Sequence, residues 1–404
     1  MGLLGIAAVF AAAYALSVDR ARIKPRVIAW GLGLQTLLAV LVLKTPFRRV
    51  FEVLGAGFNS LMGFGEEGAT FVFGELGSSQ GSFGISLAFQ ILPLIIFVSS
   101  LFAVLYYLGI MQLIVRAMAV VMQRTMGVSG AEALNIAANV FLGQSEAPLT
   151  IRPYLDRLTT SELMSVMTGG MATISGALMV AYVQVGGVAV EHLLTAVIMT
   201  APGAVMMAKV IVPESDEPET LGRVPSEAGR QDRNLIDAAA RGTSEGLYLA
   251  LNVGAVLVAF VGLIALANGI VGGIQGWLGW SWAPASIQEA LGYLFAPAAW
   301  LLGVPWGDAR EVGNLLGIRM ALNEFIAYDQ LNQIKDALDP RSFLIAGYAL
   351  CGFANFGSIG IQVGGLGSLI PERRGELARL GVRAMLAGTL ANFLTAAIAG
   401  LIAD

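Results

Sequence analysis

Charged residues along this chain are spaced so that long stretches carry none of them. No Asp, Glu, Lys or Arg occurs in 76–115, 163–190, 246–288, 342–370 or 384–403, and shorter uncharged runs occupy 2–18, 27–43 and 193–208. A predominantly apolar stretch of about 20 residues crosses the hydrocarbon core of a bilayer as an α-helix. The runs therefore predict about eight spans, near 3–17, 26–43, 84–116, 161–186, 193–211, 246–275, 342–368 and 378–402. Segment 46–81 is Gly- and Phe-rich and too interrupted to span, so an interfacial position is expected. The same is expected of 276–305, which holds Trp277, Trp280, Trp282 and Trp300, because Trp gathers at the headgroup level. Segment 213–234, with Pro213, Pro218 and Pro225 among mixed charges, reads as a flexible soluble connection.

Two further segments, 129–158 and 308–338, are helical in composition but polar in the middle. In the first, a half-span of apolar residues meets Gly143-Gln144-Ser145-Glu146-Ala147-Pro148, and a second helical stretch leads to Arg157. In the second, Asn323-Glu324-Phe325 separates two short apolar limbs. Gly and Pro around a polar turn specify a re-entrant hairpin, since irregular backbone at membrane depth survives only against protein or a water-filled cavity. Each hairpin is followed by a span interrupted by small and polar residues: Gly170-Met171-Ala172-Thr173-Ile174-Ser175-Gly176 and Gly352-Phe353-Ala354-Asn355-Phe356-Gly357-Ser358. Glu324 follows Glu146 by 178 positions and Gly352 follows Gly170 by 182. The chain thus reads as an internal repeat, inverted because an odd number of spans separates the halves. Paired interruptions of this kind point to a binding site near the bilayer midplane. An ionised Glu there costs about 2.5–3.5 kcal/mol to insert, so Glu146 and Glu324 are expected to be functional.

Composition agrees with a membrane protein: 56% of residues are apolar and 13% charged, against about a quarter charged in soluble domains. With the N-terminus outside and both hairpins re-entrant, 17 of the 24 Lys and Arg fall inside, as the positive-inside rule requires. The apolar N-terminal stretch has no basic residue before it and is followed by Arg20, Arg22, Lys24 and Arg26. It reads as a first span rather than a signal peptide. Both termini are expected outside. Cys351 is the single cysteine, so there is no disulfide framework, and His192 reads as interfacial. The net charge of −4 gives no sign of a nucleic-acid partner. Gly63-Phe64-Gly65-Glu66-Glu67-Gly68 fits the dinucleotide pattern but follows no strand. Gly242-Thr243-Ser244-Glu245-Gly246 fits a nucleophile elbow without its α/β context. With no nucleophile–base pair or metal-ligand cluster, an enzyme is not expected.

The run Asn139-Val140-Phe141-Leu142-Gly143-Gln144-Ser145-Glu146-Ala147-Pro148-Leu149, with Arg152-Pro153-Tyr154, resembles the first-hairpin signature of concentrative nucleoside transporters. Asn323-Glu324-Phe325-Ile326-Ala327-Tyr328 resembles the second hairpin. Cys351–Ile359, Gly364-Gly365-Leu366-Gly367 and Pro371-Glu372-Arg373-Arg374 resemble the helix after it. The likeness covers nearly the whole chain. It departs where Ser145 stands in place of a common Thr and Gly357 in place of a common Ser.

This resemblance implies an all-α fold of eight spans and two hairpins in a homotrimer of the bacterial inner membrane. It also implies import of a uridine-like nucleoside by an elevator-type motion. Scaffold would be 1–125 and 235–305, transport domain 126–212 and 306–404, with a cytoplasmic loop at 213–234. Gln144, Ser145 and Glu146 would face the base, with Leu178 packing on it and Phe353 in contact; Glu324, Asn355 and Ser358 would hold the ribose hydroxyls. A sodium ion, the only cofactor-like group, would sit between Asn139 and Thr173 side chains and Leu142 and Ile174 carbonyls. A proton taken up by Glu146 is the alternative coupling ion. A channel, or a transporter of another polar solute, is the alternative function. Base preference, ion stoichiometry and resting conformation are not legible.

Overall fold

The computed structural model describes residues 1–79, 81, 86–225, 232–279, 284 and 286–403. Helices form because apolar runs rich in Ala, Leu and Gly satisfy their backbone internally. In chain order they are α1 Gly2–Leu16, α2 Pro25–Lys44, α3 Arg48–Phe73, α4 Leu92–Tyr107, α5 Ile110–Met126 and α6 Gly130–Asn139. There follow α7 Thr160–Ala172, α8 Gly176–Gly186, α9 Val190–Ile211, α10 Leu235–Leu278 and α11 Ile287–Leu302. The chain closes with α12 Trp306–Ala321, α13 Glu324–Gln333, α14 Pro340–Ala349, α15 Phe356–Leu369 and α16 Arg374–Ile402.

By length and composition, six segments among the described residues could each cross a membrane: α2, Leu87–Tyr107, Thr160–Gly186, α9, α10 and Pro371–Ile402. The bent pair α11–α12 could make a seventh, α1 is a shorter apolar helix, and the expected span 342–368 is occupied by α14 and α15 with a break between them. The apolar window of Thr160–Gly186 is wholly buried and that of Pro371–Ile402 largely so, whereas only 6% of α10's is covered. The core therefore lies among α7, α8, α9 and α16, whose many Ala, Gly, Ser and Thr residues let backbones approach closely. The centre of α10's surface is apolar and bare, packed mainly on α4.

Four expectations change. The predicted span 84–116 ends early: α4 stops at Tyr107, and Gly109 at φ +83° turns the chain into α5. Glycine alone adopts that angle without steric cost. Residues 84 and 85 lie outside the described residues. Segment 46–81, expected to be too interrupted to span, holds a continuous helix, α3, with Phe51, Gly55, Met62, Gly65 and Ala69 buried along one face, and α3 is not among the helices apolar enough to cross. The segment 276–305 is not one interfacial piece. α10 runs to Leu278, and α11 then packs along α12 with a bend of 116° between them; Trp280 and Trp282 lie outside the described residues. The start of the 213–234 connection is pinned. Thr220 accepts from Gly130 N (3.0 Å) and Ala131 N (2.9 Å) at the base of α6. Lys209, on α9, pairs with Glu132 and Glu214 at 2.9 Å each. Residues 226–231 are outside the described residues.

Candidate functional site

The first hairpin starts with a capping box. Glu132 N donates to Ser129 Oγ (3.3 Å), and Glu132 Oε1 accepts from Ser129 N (2.8 Å), fixing two of the helix's free donors. α6 runs only to Asn139, and the tip 140–146 follows. The return limb, Ala147–Arg157, expected as a second helical stretch, is a 3₁₀ helix with a non-helical Ile151. Pro148 and Pro153 supply no N–H, and Pro153 crowds the carbonyl four residues before it. The tip docks on the broken span: Gly176 N donates to Phe141 O (3.0 Å), and Ser175 Oγ caps α8 at Leu178 N (3.4 Å).

The second hairpin turns at Leu322-Asn323. Asn323 Oδ1 caps α13 by accepting from Ile326 N (3.0 Å). Asn355 caps α15 in the same way, accepting from Ser358 N (2.9 Å). Its amide nitrogen donates to Glu324 Oε2 (3.0 Å), while Tyr182 Oη donates to Glu324 Oε1 (2.7 Å). Glu324 is thus a buried carboxylate whose two oxygens are each aimed by a neutral donor.

Gln144, Ser145, Glu146, Leu178, Glu324, Phe353, Asn355 and Ser358 all line one cavity of about 1010 Å³, together with Leu142. Its walls are the two hairpin tips, the second halves of both broken spans, α4 and the first half of α10. It extends to Asp232, Arg241 and Glu245 at the start of α10, where Arg241 is held by both carboxylates (2.7 and 2.8 Å). Asn139, Thr173 and Ile174 lie apart, buried behind the tip. Asn139 Nδ2 donates to Asn135 O and Oδ1, both at 3.1 Å, and Thr173 Oγ1 donates to Gly169 O (2.8 Å). Asn139 Oδ1 has no protein partner. A buried amide oxygen without a donor is costly and suits a hard cation.

Each hairpin tip is also held by the other repeat. Tyr182, seven residues after the Ser175 cap, reaches Glu324; Gln362, seven residues after the Asn355 cap, reaches Gln144, its Nε2 donating to Gln144 Oε1 (3.2 Å). Neither residue is predicted from the sequence. The signal available was a polar side chain on an apolar helix at equal distance from each break. Arg319 was also missed as a structural group: it is fully buried, with Nε donating to Gly352 O (3.2 Å) and Nη2 to Asn392 Oδ1.

Comparison with known proteins decides the family. The family profiles described as Na+ dependent nucleoside transporter N-terminus, Nucleoside recognition and Na+ dependent nucleoside transporter C-terminus match residues 4–76, 88–189 and 192–400. The chain belongs to the concentrative nucleoside transporter family. It is 39% identical to nucleoside permease NupC of Helicobacter pylori, over 98% of this chain and 96% of that one. It is 40% identical to solute carrier family 28 member 3 of Mus musculus, over 95% of this chain and 56% of that one. The solved structure of CNTnw in an inward-facing substrate-bound state superimposes with a TM-score of 0.92 at 41% identity, covering 99% of this chain and 97% of that one. The family resemblance read from the hairpin motifs holds, and so does the all-α membrane architecture. The transporter family, rather than an enzyme class, is what these matches name.

Proposed function

We propose that this transporter imports uridine-like nucleosides by sodium symport across the bacterial inner membrane, with both termini outside. Glu324, Asn355 and Ser358 take the ribose hydroxyls, because a carboxylate accepts strongly from vicinal hydroxyls. Gln144, Ser145, Glu146, Leu178 and Phe353 take the base, through polar groups and apolar contact. The observation that carries sodium coupling is the partnerless buried Asn139 Oδ1, on a residue that lies against Gly169, one turn before the break at Thr173. With Thr173 Oγ1 and the carbonyls of Leu142 and Ile174 it makes a neutral oxygen set, which suits an alkali cation. A proton would need a titrating group there.

The cavity's extension to Asp232, Arg241 and Glu245 supports an inward-open state, since the charge count puts that end of α10 in the cytoplasm. Elements 126–212 and 306–404 move as one body against a scaffold of 1–125 and 235–305, and the bare apolar face of α10 suits contacts in a homotrimer. Sodium binding strengthens nucleoside binding and the reverse, by linkage.

The test is uridine affinity titrated against sodium at fixed pH, in the wild type and in Asn139→Ala with Thr173→Ala. Wild-type affinity rising with sodium, and a variant indifferent to it, supports the reading. Sodium-independent affinity, with uptake following a pH gradient, transfers coupling to a proton and to Glu146.

A further inference from the structure

Arg319 stands in the last turn of α12, and it is among the largest fully buried side chains of the described residues. A charge carried into the middle of a membrane protein is disfavoured unless it is compensated or has a role. Its donors meet the carbonyl of Gly352 and the amide oxygen of Asn392. Asn392, on α16, uses its own Nδ2 to bond Ala172 O (2.8 Å) and Cys351 O (2.7 Å). One chain of hydrogen bonds therefore joins the second hairpin to both helix breaks.

The register gives this chain its meaning. Ala172 lies three residues before the Ser175 cap, and Gly352 lies three before the Asn355 cap. Counted back from the two caps they hold the same position, although α7 runs to Ala172 while α14 ends at Ala349. Each break frees carbonyls at the negative end of a half-helix, where positive charge is favoured. In the first repeat the limb leading to the hairpin tip ends at Asn139, with its orphan Oδ1, and Asn139 lies against Gly169, one turn before the break at Thr173. In the second repeat the corresponding limb carries Arg319, whose guanidinium is already bonded to the break. No side chain can grow from Gly352 without pushing on Asn392 Oδ1, 2.6 Å from where a Cβ would stand, so guanidinium, amide and carbonyl are closely fitted.

We infer that Arg319 is a tethered cation. It does in the second repeat what a free monovalent ion does in the first, so the transporter needs one coupling ion rather than two. Through Asn392 it also ties the break beside the free-ion site to the hairpin that carries Glu324. The inference rests on the coupling-ion site proposed for the first repeat, and it makes Arg319 a positioning residue rather than a substrate contact.

The test is the sodium dependence of uridine binding, measured calorimetrically on purified wild type, Arg319→Asn and Arg319→Lys, with sodium-to-uridine stoichiometry from reversal potentials of wild-type proteoliposomes. The wild type should show a Hill coefficient near one and move one sodium per uridine. Arg319→Asn should lose roughly tenfold or more in uridine affinity at low sodium. It should regain affinity at high sodium along a curve with a Hill coefficient above one, because two free cations are then required. Arg319→Lys should keep a coefficient near one. A folded Arg319→Asn with a coefficient still near one, whether its affinity is unchanged or uniformly lowered, overturns the inference and leaves Arg319 a packing residue. If that variant does not fold, the wild-type stoichiometry decides: two sodium ions per uridine overturns the inference, one supports it. A wild type indifferent to sodium brings down the first-repeat site and this inference together, whereas failure in the variant alone brings down only this inference.

Discussion

Glu324 receives Tyr182 on one carboxylate oxygen and Asn355 on the other, so its remaining lone pairs are oriented before any substrate arrives. Replacing it by Gln turns one acceptor into a donor facing a donor. A buried group left without its partner costs about 1–3 kcal/mol, and about 1.4 kcal/mol is tenfold. Glu324→Gln is therefore expected to lower uridine uptake about tenfold to a hundredfold, measured with radiolabelled uridine in proteoliposomes; unchanged uptake would remove Glu324 from the site. Gln362→Leu deletes the donor to Gln144 Oε1, and the freed Gln144 amide can rotate. Relative affinities for uridine and cytidine are expected to shift several-fold, at about 1 kcal/mol for one hydrogen bond, while total binding-competent protein stays constant. Equal shifts for both nucleosides would contradict that role. At this scale the sequence revealed the two glutamates, because an acid inside an apolar run is conspicuous. It did not reveal Tyr182 and Gln362, whose partners lie 142 and 218 residues away.

Breaks, caps and limbs carry the geometry at the scale of elements. Ser175, Asn323 and Asn355 each cap a half-helix, and the interruptions were legible because such residues compete with helix through their side chains. What was not legible depended on neighbours. The 3₁₀ return limb follows from Pro148 and Pro153 set against a packed α6, and the break before α5 from one glycine angle inside an unbroken apolar run. The pinning of 213–225 comes from Thr220 meeting the base of α6, a contact no local pattern announces. Gly352→Ala tests the element-level fit. Its Cβ would stand 2.6 Å from Asn392 Oδ1 and 2.9 Å from Ala172 C, and overpacking of this kind costs about 1–3 kcal/mol. A lower melting temperature in detergent, with smaller stabilisation by sodium, is expected; a wild-type melting curve would show that the two breaks are not tightly joined.

The whole molecule divides by burial: α7, α8, α9 and α16 fill the interior while α10 stands almost bare. The cavity lies where the two parts meet, with α4 and α10 on one wall and the hairpin tips on the other. Sliding of one part against the other would open it to the opposite side. A cysteine at Ser145 in a Cys351→Ala background should be reactive to a membrane-impermeant reagent from the cytoplasmic side. It should become reactive from the outside only during transport. Reactivity from one side throughout turnover would exclude the motion. The all-α membrane plan and the paired breaks were legible because lipid demands uncharged runs of fixed length. Which spans fill the interior was not, since α10 and α16 are both apolar helices. The most direct measurement of the central claim is uridine uptake into proteoliposomes with sodium and proton gradients imposed separately. The expected result is accumulation against a concentration gradient under an inward sodium gradient, abolished when that gradient is collapsed and unaffected by pH. Accumulation driven by the proton gradient alone would contradict sodium coupling, and equilibration without accumulation under either gradient would contradict concentrative transport.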